Sequence, residues 1–237
     1  MAKVHLIIGN CLAAPSTGII SMTNLSTTKK LVMIGAGGHA RVLLDILSRQ
    51  NQLPTAIFCA EKAQLAAPFA SIKQYHQDEQ MREFSPNDVL LVNAVGRLPG
   101  EHRRMQIFDK FKAMGYQFAS VISEKALVSA YCSLGEGVQI LDGSIVNTGV
   151  QIAENCIVNT AAVIEHDCKL DAHVMVAPGA VLCGNVHCAE QVFIGAGATV
   201  IQNIAIGKAA LVAAGATLVC DLLEQQKVYP ARHFIVM

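Results

Sequence analysis

Apolar positions recur every six residues through the C-terminal half of the chain. Stepping by six from Val128 meets Leu134, Ile140, Val146, Ile152, Val158, Ile164, Leu170, Val176, Leu182, Cys188, Ile194, Val200, Ile206, Val212 and Leu218, and only Cys188 is not aliphatic. Four residues after each ladder residue comes a second small or branched apolar one, from Cys132 and Val138 to Ala216, with Ser144 the single polar member. An amphipathic helix would repeat every 3.6 residues and a sandwich would space its strands irregularly. A strict period of six instead predicts short strands and tight turns wrapped into a three-faced coil. Eighteen residues then close one circuit, so the segment holds about five coils. Such coils bond to their neighbours and bury the ladder jointly. Gly135, Gly195 and Gly207 directly follow ladder positions, where they suit turn conformations that bulkier residues resist.

The N-terminal half reads differently. An apolar strand at Leu31–Ile34 runs into Gly35-Ala36-Gly37-Gly38-His39-Ala40, and a helix follows with Val42, Leu43, Ile46 and Leu47 on its buried side. Further strands are expected at Thr55–Cys59 and Val89–Val95, with a helix between Glu101 and Met114. Alternating strand and helix predict a small parallel sheet of Rossmann type. The fold expected for the whole chain is an α/β Rossmann-like domain at 29–122 followed by an all-β parallel β-helix domain with a C-terminal tail at 123–237. Residues 1–28 form an extension. Leu6–Ile8 resemble a secretion signal only faintly, because Gly9 and Asn10 break the apolar run, and Met22 could be the natural start.

Composition narrows the functions open to this architecture. Net charge is zero and charged residues are 15% of the chain, which argues against nucleic acid as a partner. Apolar residues reach 52%, yet no uninterrupted stretch has membrane-spanning length. The eight cysteines are scattered, several on the ladder, and none has C-x-x-C spacing, so a reduced cytoplasmic protein is expected. The glycine turn lets backbone N–H groups at a helix start approach a phosphate. With the second strand ending in Cys59-Ala60-Glu61, where a nicotinamide domain wants an acidic residue at the strand end, and only about 95 residues in the domain, nucleotide-diphosphate binding without redox chemistry is favoured over a nicotinamide site. His166, His173 and His187 fall at scattered offsets within their circuits, which disfavours a zinc site built from one chain.

The pairing of a strand–GAGGHA–helix domain with hexapeptide coils resembles the sugar O-/N-acyltransferases of the sialic acid O-acetyltransferase and bacillosamine N-acetyltransferase family. The resemblance spans about Lys29 to Arg232. It rests also on Ala94-Val95-Gly96, Ile164-Glu165-His166-Asp167-Cys168, Ala177-Pro178-Gly179-Ala180 and Ile194-Gly195-Ala196-Gly197-Ala198. It implies a left-handed β-helix, a homotrimer, acetyl-CoA as co-substrate in clefts along the coils, no metal, and a nucleotide-linked amino sugar held by the first domain. His166 matches the family's catalytic base, with Asp167 orienting its ring. Gly37, Gly38, His39 and Gly96 would bind the nucleotide sugar. Met175, His173, Ala196, Ala214 and Arg232 would meet the coenzyme; Met175 stands where relatives often carry His, and His173 is the candidate to replace it. Cys59 and Ala60 stand where relatives often carry acidic residues against the nucleotide base. The reaction implied is N-acetylation of a nucleotide-linked 4-amino-4,6-dideoxy sugar of the UDP-N-acetylbacillosamine-pathway type. O-acetylation of sialic acid or a related sugar, and a non-catalytic trimeric scaffold or sugar-nucleotide sensor, are the alternatives.

Overall fold

The computed structural model describes residues 29–66 and 69–230. The extension expected at 1–28 and the basic residue Arg232 lie outside those residues. Strands β1 (Lys30–Ile34), β2 (Ala56–Phe58), β3 (Lys73–Tyr75) and β4 (Val89–Asn93) form a parallel sheet in the order β3-β2-β1-β4. Helix α1 (Gly38–Arg49) covers one face, packing Leu43, Leu44, Ile46 and Leu47 against Met33, Ile57 and Val92. Helix α2 (Arg103–Ala113) covers the other, where Phe108 and Phe111 meet Val32, Phe58 and Leu91. The strands and helices expected from the sequence all form. Strand β3 is additional; of Lys73-Gln74-Tyr75 only Tyr75 is buried, so no apolar run announces it. Val42 departs from expectation. The inward face of α1 holds Ile46 and Ala40, Leu43, Leu44 and Leu47, the last four a helical i, i+3, i+4, i+7 set, which leaves Val42 41% exposed.

From β5 (Val121–Ile122) to β22 (Lys227–Val228) the chain is a left-handed parallel β-helix of two-residue strands. Among the described residues three parallel sheets of seven, six and five strands stack along it. Partners lie eighteen residues apart, as in Val163 with Ile145 and Val181. The last circuit is two residues shorter, pairing Leu211 with Lys227. The second residue of each strand points inward, and the ladder from Ile140 to Leu218 is buried together with the second apolar set, Ser144 included.

The first residue of each strand points outward, and the three faces differ. One row, Val121, Gln139, Ile157, Met175 and Phe193, is buried beneath the α/β domain. A second row, Leu127, Ile145, Val163 and Val181, is apolar but exposed or half-buried. The third, Ser133, Gln151, Lys169 and His187, is polar. Arg49 ties α1 to the first coil through Glu124 at 2.5 Å and Asp142 at 2.6 Å.

The turn glycines act for another reason than the one expected. Gly135, Gly195 and Gly207 do not have positive φ; a Cβ on any of them would come within 2.7 Å of the backbone of the next coil. Left-handed backbone falls two residues later, at Gly137, Gly197 and Ala209 and at the equivalent Asp167 and His173. Bulk is excluded by the neighbouring coil, and the conformational demand sits elsewhere.

Candidate active site

The coil has three corners, and chemistry is concentrated at two. His166 and Asp167 occupy the turn after the strand Val163–Ile164, between the open apolar face and the polar face. His166 Nδ1 lies 2.9 Å from Asp167 Oδ2, and both side chains are more than half exposed. The carboxylate can only accept, so Nδ1 is the donor, and in the neutral ring this leaves the lone pair on Nε2. The ring lies over Gly184, the position one coil on, where a Cβ would stand 2.6 Å from Nε2. Asp167 leans the other way over Gly149, one coil back, where a Cβ would nearly touch its carboxylate. Two glycines at eighteen-residue steps thus shape the niche of the pair.

The second concentration is a cleft of about 1460 Å³ between the α/β domain and the coil corner at the other edge of the open apolar face. Gly35, Gly37, Gly38, His39 and Gly96 line its upper wall, and Met175, Ala177, Pro178 and Phe193 its floor. Val42 also faces it. Gly35 has φ +109 and passes so close to Ala94 that a Cβ would strike its carbonyl at 3.0 Å. Gly37 and Gly38 face open space. No side chain caps α1 at Gly37, and the helix's first bond runs from Arg41 N–H to Gly37 C=O. The amides of Gly38 to Ala40 therefore form an unclaimed donor set with the positive end of the helix dipole behind it. A Cβ at Gly96 would come 3.3 Å from His39 Cβ.

The other expected residues are placed as follows. Met175 lies on the cleft floor, 6% exposed. His173 is mostly buried at the domain junction, with Nδ1 3.0 Å from Asn155 Nδ2 and its ring edge-on to Phe108. Its backbone C=O accepts from Arg97 Nη1 at 2.6 Å. Ala196 and Ala214 stand exposed one above the other on the corner that carries Pro178. The structure thus gathers Gly37, Gly38, His39, Gly96 and Met175 around one cleft, and it sets His166 and Asp167 across the open apolar face from them.

Sequence reading missed Arg97, Arg104 and Gln139. Arg97 reaches from the loop after β4 to three backbone carbonyls of the coil, those of His173, Gln191 and Val192. Arg104 is 3% exposed and donates to Asn93 C=O at 2.6 Å and Val95 C=O at 2.9 Å, while its Nη2 has no partner. Burial pushes its pKa down to about 9. Gln139 had a legible signal, since it breaks an otherwise apolar outward row.

Residues 30–111 match the family model described as the PglD N-terminal domain. Among solved structures, the acetyltransferase domain of PglB from Neisseria gonorrhoeae FA1090, in complex with acetyl coenzyme A, is 29% identical with TM-score 0.77 over 85% of this chain and 96% of that one. A mutant of perosamine N-acetyltransferase from Caulobacter crescentus, in complex with CoA and GDP-perosamine, is 30% identical with TM-score 0.75 over 85% and 93%. The chain belongs to the hexapeptide-repeat sugar O-/N-acyltransferase family. It is therefore an acyltransferase by membership. WeeI from Acinetobacter baumannii AYE, 20% identical over 84% and 96% with TM-score 0.70, shares the family fold. No curated protein sequence matches the chain. Among the described residues no three His, Cys, Asp or Glu side chains gather as metal ligands, and no helix is long and apolar enough to cross a membrane.

Proposed function

We propose that this acyltransferase moves the acetyl group of acetyl-CoA to the amine of a nucleotide-linked 4-amino-4,6-dideoxy sugar, with His166 as general base. The observation that carries this reading is the His166–Asp167 pair, held at 2.9 Å with Nε2 left as the acceptor. Histidine ordinarily titrates near neutrality, which suits a group that must take a proton and return it. As the amine attacks the thioester carbonyl, His166 Nε2 accepts the amine proton. The C–N bond forms, the C–S bond breaks, and the proton passes from His166 to the departing thiolate. Asp167 stabilises the imidazolium while the proton is held. No covalent acyl-enzyme is required.

The unclaimed amides at the start of α1 would take the pyrophosphate, with Gly37, Gly38 and Gly96 giving the backbone its close approach. The stacked small residues Ala196 and Ala214 leave room for the coenzyme along their corner, and Met175 floors the cleft beside it. Homotrimer assembly completes this reading. His166 and the cleft lie at opposite edges of the apolar row Ile145, Val163 and Val181, which is half-buried and over which no described element packs. Packing that row against a second copy would bring His166 of one protomer to the cleft of the next. The seven described cysteines are free, which supports a cytoplasmic setting.

The test is His166→Ala in an assay of CoA thiol release. Turnover should fall by about 10²–10⁴-fold, with acetyl-CoA binding and the trimer retained; near-normal turnover would sink the assignment. Supplying sialic acid beside amino-sugar nucleotides separates O- from N-transfer.

A further inference from the structure

Six polar side chains are buried among the described residues, and four of them, Asn93, Arg104, Gln139 and Asn155, form one hydrogen-bonded group between the domains. At its centre is the backbone carbonyl of Asn93, at the end of β4. That oxygen accepts from Arg104 Nη1 at 2.6 Å and from Gln139 Nε2 at 2.8 Å. Gln139 has no exposed surface, and a primary amide so buried is costly unless both ends are satisfied. Its other end meets His39: Oε1 lies 2.7 Å from His39 Nε2.

This arrangement fixes hydrogens that coordinates alone leave open. Asn93 C=O carries no hydrogen, so the Gln139 group facing it must be the NH₂. The group facing His39 is then the amide oxygen, which only accepts. His39 must therefore carry its proton on Nε2, and Nδ1 is a bare lone pair. Among the described residues Nδ1 has no hydrogen-bond partner, and His39 lines the cleft. Burial, with the nearby Arg104 charge, pushes the His39 pKa down to about 4, so the ring is neutral at physiological pH. A neutral ring with its only N–H engaged offers an acceptor and no charge. Phosphate oxygens are acceptors too, so they suit the α1 amides and are disfavoured at Nδ1. A hydroxyl or amino hydrogen fits.

We propose that Gln139 is a positioning residue for substrate recognition: by fixing His39 in the Nε2–H tautomer it presents Nδ1 as acceptor to an O–H or N–H of the nucleotide-linked sugar, not to its pyrophosphate. This rests on the reading that the cleft takes such a sugar. Sugar recognition in the α/β domain thus depends on a side chain of the first coils, which the apolar row would otherwise fill with an aliphatic residue.

Two measurements on the full chain test it. Nitrogen-15 NMR of ligand-free protein at neutral pH should show His39 protonated at Nε2 and bare at Nδ1, and Gln139→Leu should mix the two tautomers. Affinities should then be measured for UDP and GDP, each alone and as its 4-amino-4,6-dideoxy-sugar conjugate. Gln139→Leu should weaken the preferred conjugate by about tenfold, the share of one hydrogen bond, and leave the free nucleotide unchanged. His39→Ala should do the same, while His39→Asn, whose amide oxygen can take the place of Nδ1, should recover part of the loss. An Nδ1–H tautomer in the unaltered protein, or equal losses for conjugate and free nucleotide, overturns the proposal. If the unaltered protein shows the Nε2–H tautomer but binds neither conjugate, the substrate class fails and the recognition role goes with it.

Discussion

The β-helix and the α/β domain solve the same burial problem in opposite ways. The coil repeats one solution: small aliphatic residues point inward every six positions, and each circuit is covered by the next. The α/β domain builds two unlike clusters, one aliphatic beneath α1 and one aromatic beneath α2, where Phe58 stacks on Tyr75 at 4.9 Å and Phe108 on Phe118 at 4.6 Å. The difference teaches where chemistry can be found. In the coil, the proposed chemistry lies in departures from the period: His166 and Asp167 in a turn, glycines one coil on and one coil back, and Gln139 in an apolar row. In the α/β domain there is no period to depart from, and the site is an uncapped helix start.

The largest effect of a single substitution is expected in the ladder. Leu182→Ala removes a fully buried rung, and a cost of about 2–5 kcal/mol is expected by denaturant unfolding. Because coils support one another, the loss should spread to adjacent coils while α1 keeps its slow amide exchange; loss confined to one circuit would contradict mutual support. Acid should act mainly on the other side of the comparison. His39 is held neutral with a folded pKa of about 4 against 6.5 when exposed, so the unfolded chain binds more protons between those values. Stability should rise with pH through that window, and acidification from pH 6.5 to 4 should remove about 3 kcal/mol. His173, whose pKa burial also lowers, acts in the same direction. In His39→Gln the pH dependence over this range should flatten; an unchanged slope would show that His39 is not the group responsible.

A subtler change sharpens the claim that function lies in the departures. Gly184→Ala places a methyl group against the His166 ring, so turnover should fall about 10–100-fold through misplacement of the base. The melting temperature should stay close to that of the unaltered protein, and a proportionate loss of both would make Gly184 structural. The smallest effect is expected on the polar face. Gln151→Ala, exposed and outward, should change stability by no more than about 0.5 kcal/mol and leave turnover alone.

Much of this could be read without coordinates, and the parts that could not share a cause. The ladder was legible because period six leaves the same residue type at each rung. His166 and Asp167 were legible as a motif, but the glycines beneath them become meaningful only when the coil is stacked in steps of eighteen. Leu43, Ile46 and Leu47 were read correctly, but Val42 was misread because the buried face of α1 extends toward Ala40 and Leu44, which turns Val42 to the cleft. Strand β3 carried too little apolar pattern to read.

Local pattern alone dictates that the chain winds into coils, because burial of one inward residue per short strand is a local and repeated requirement. It also determined that a strand meets a glycine turn before a helix, since glycine's freedom is a property of the residue. The packing of the α/β domain on the coil puts the glycine turn and Met175 in one cleft, lets Gln139 set the His39 tautomer, and leaves His166 across the apolar row from both. The first two of those relations join residues a hundred or more positions apart, and they depend on how one domain sits on the other, which no local pattern encodes.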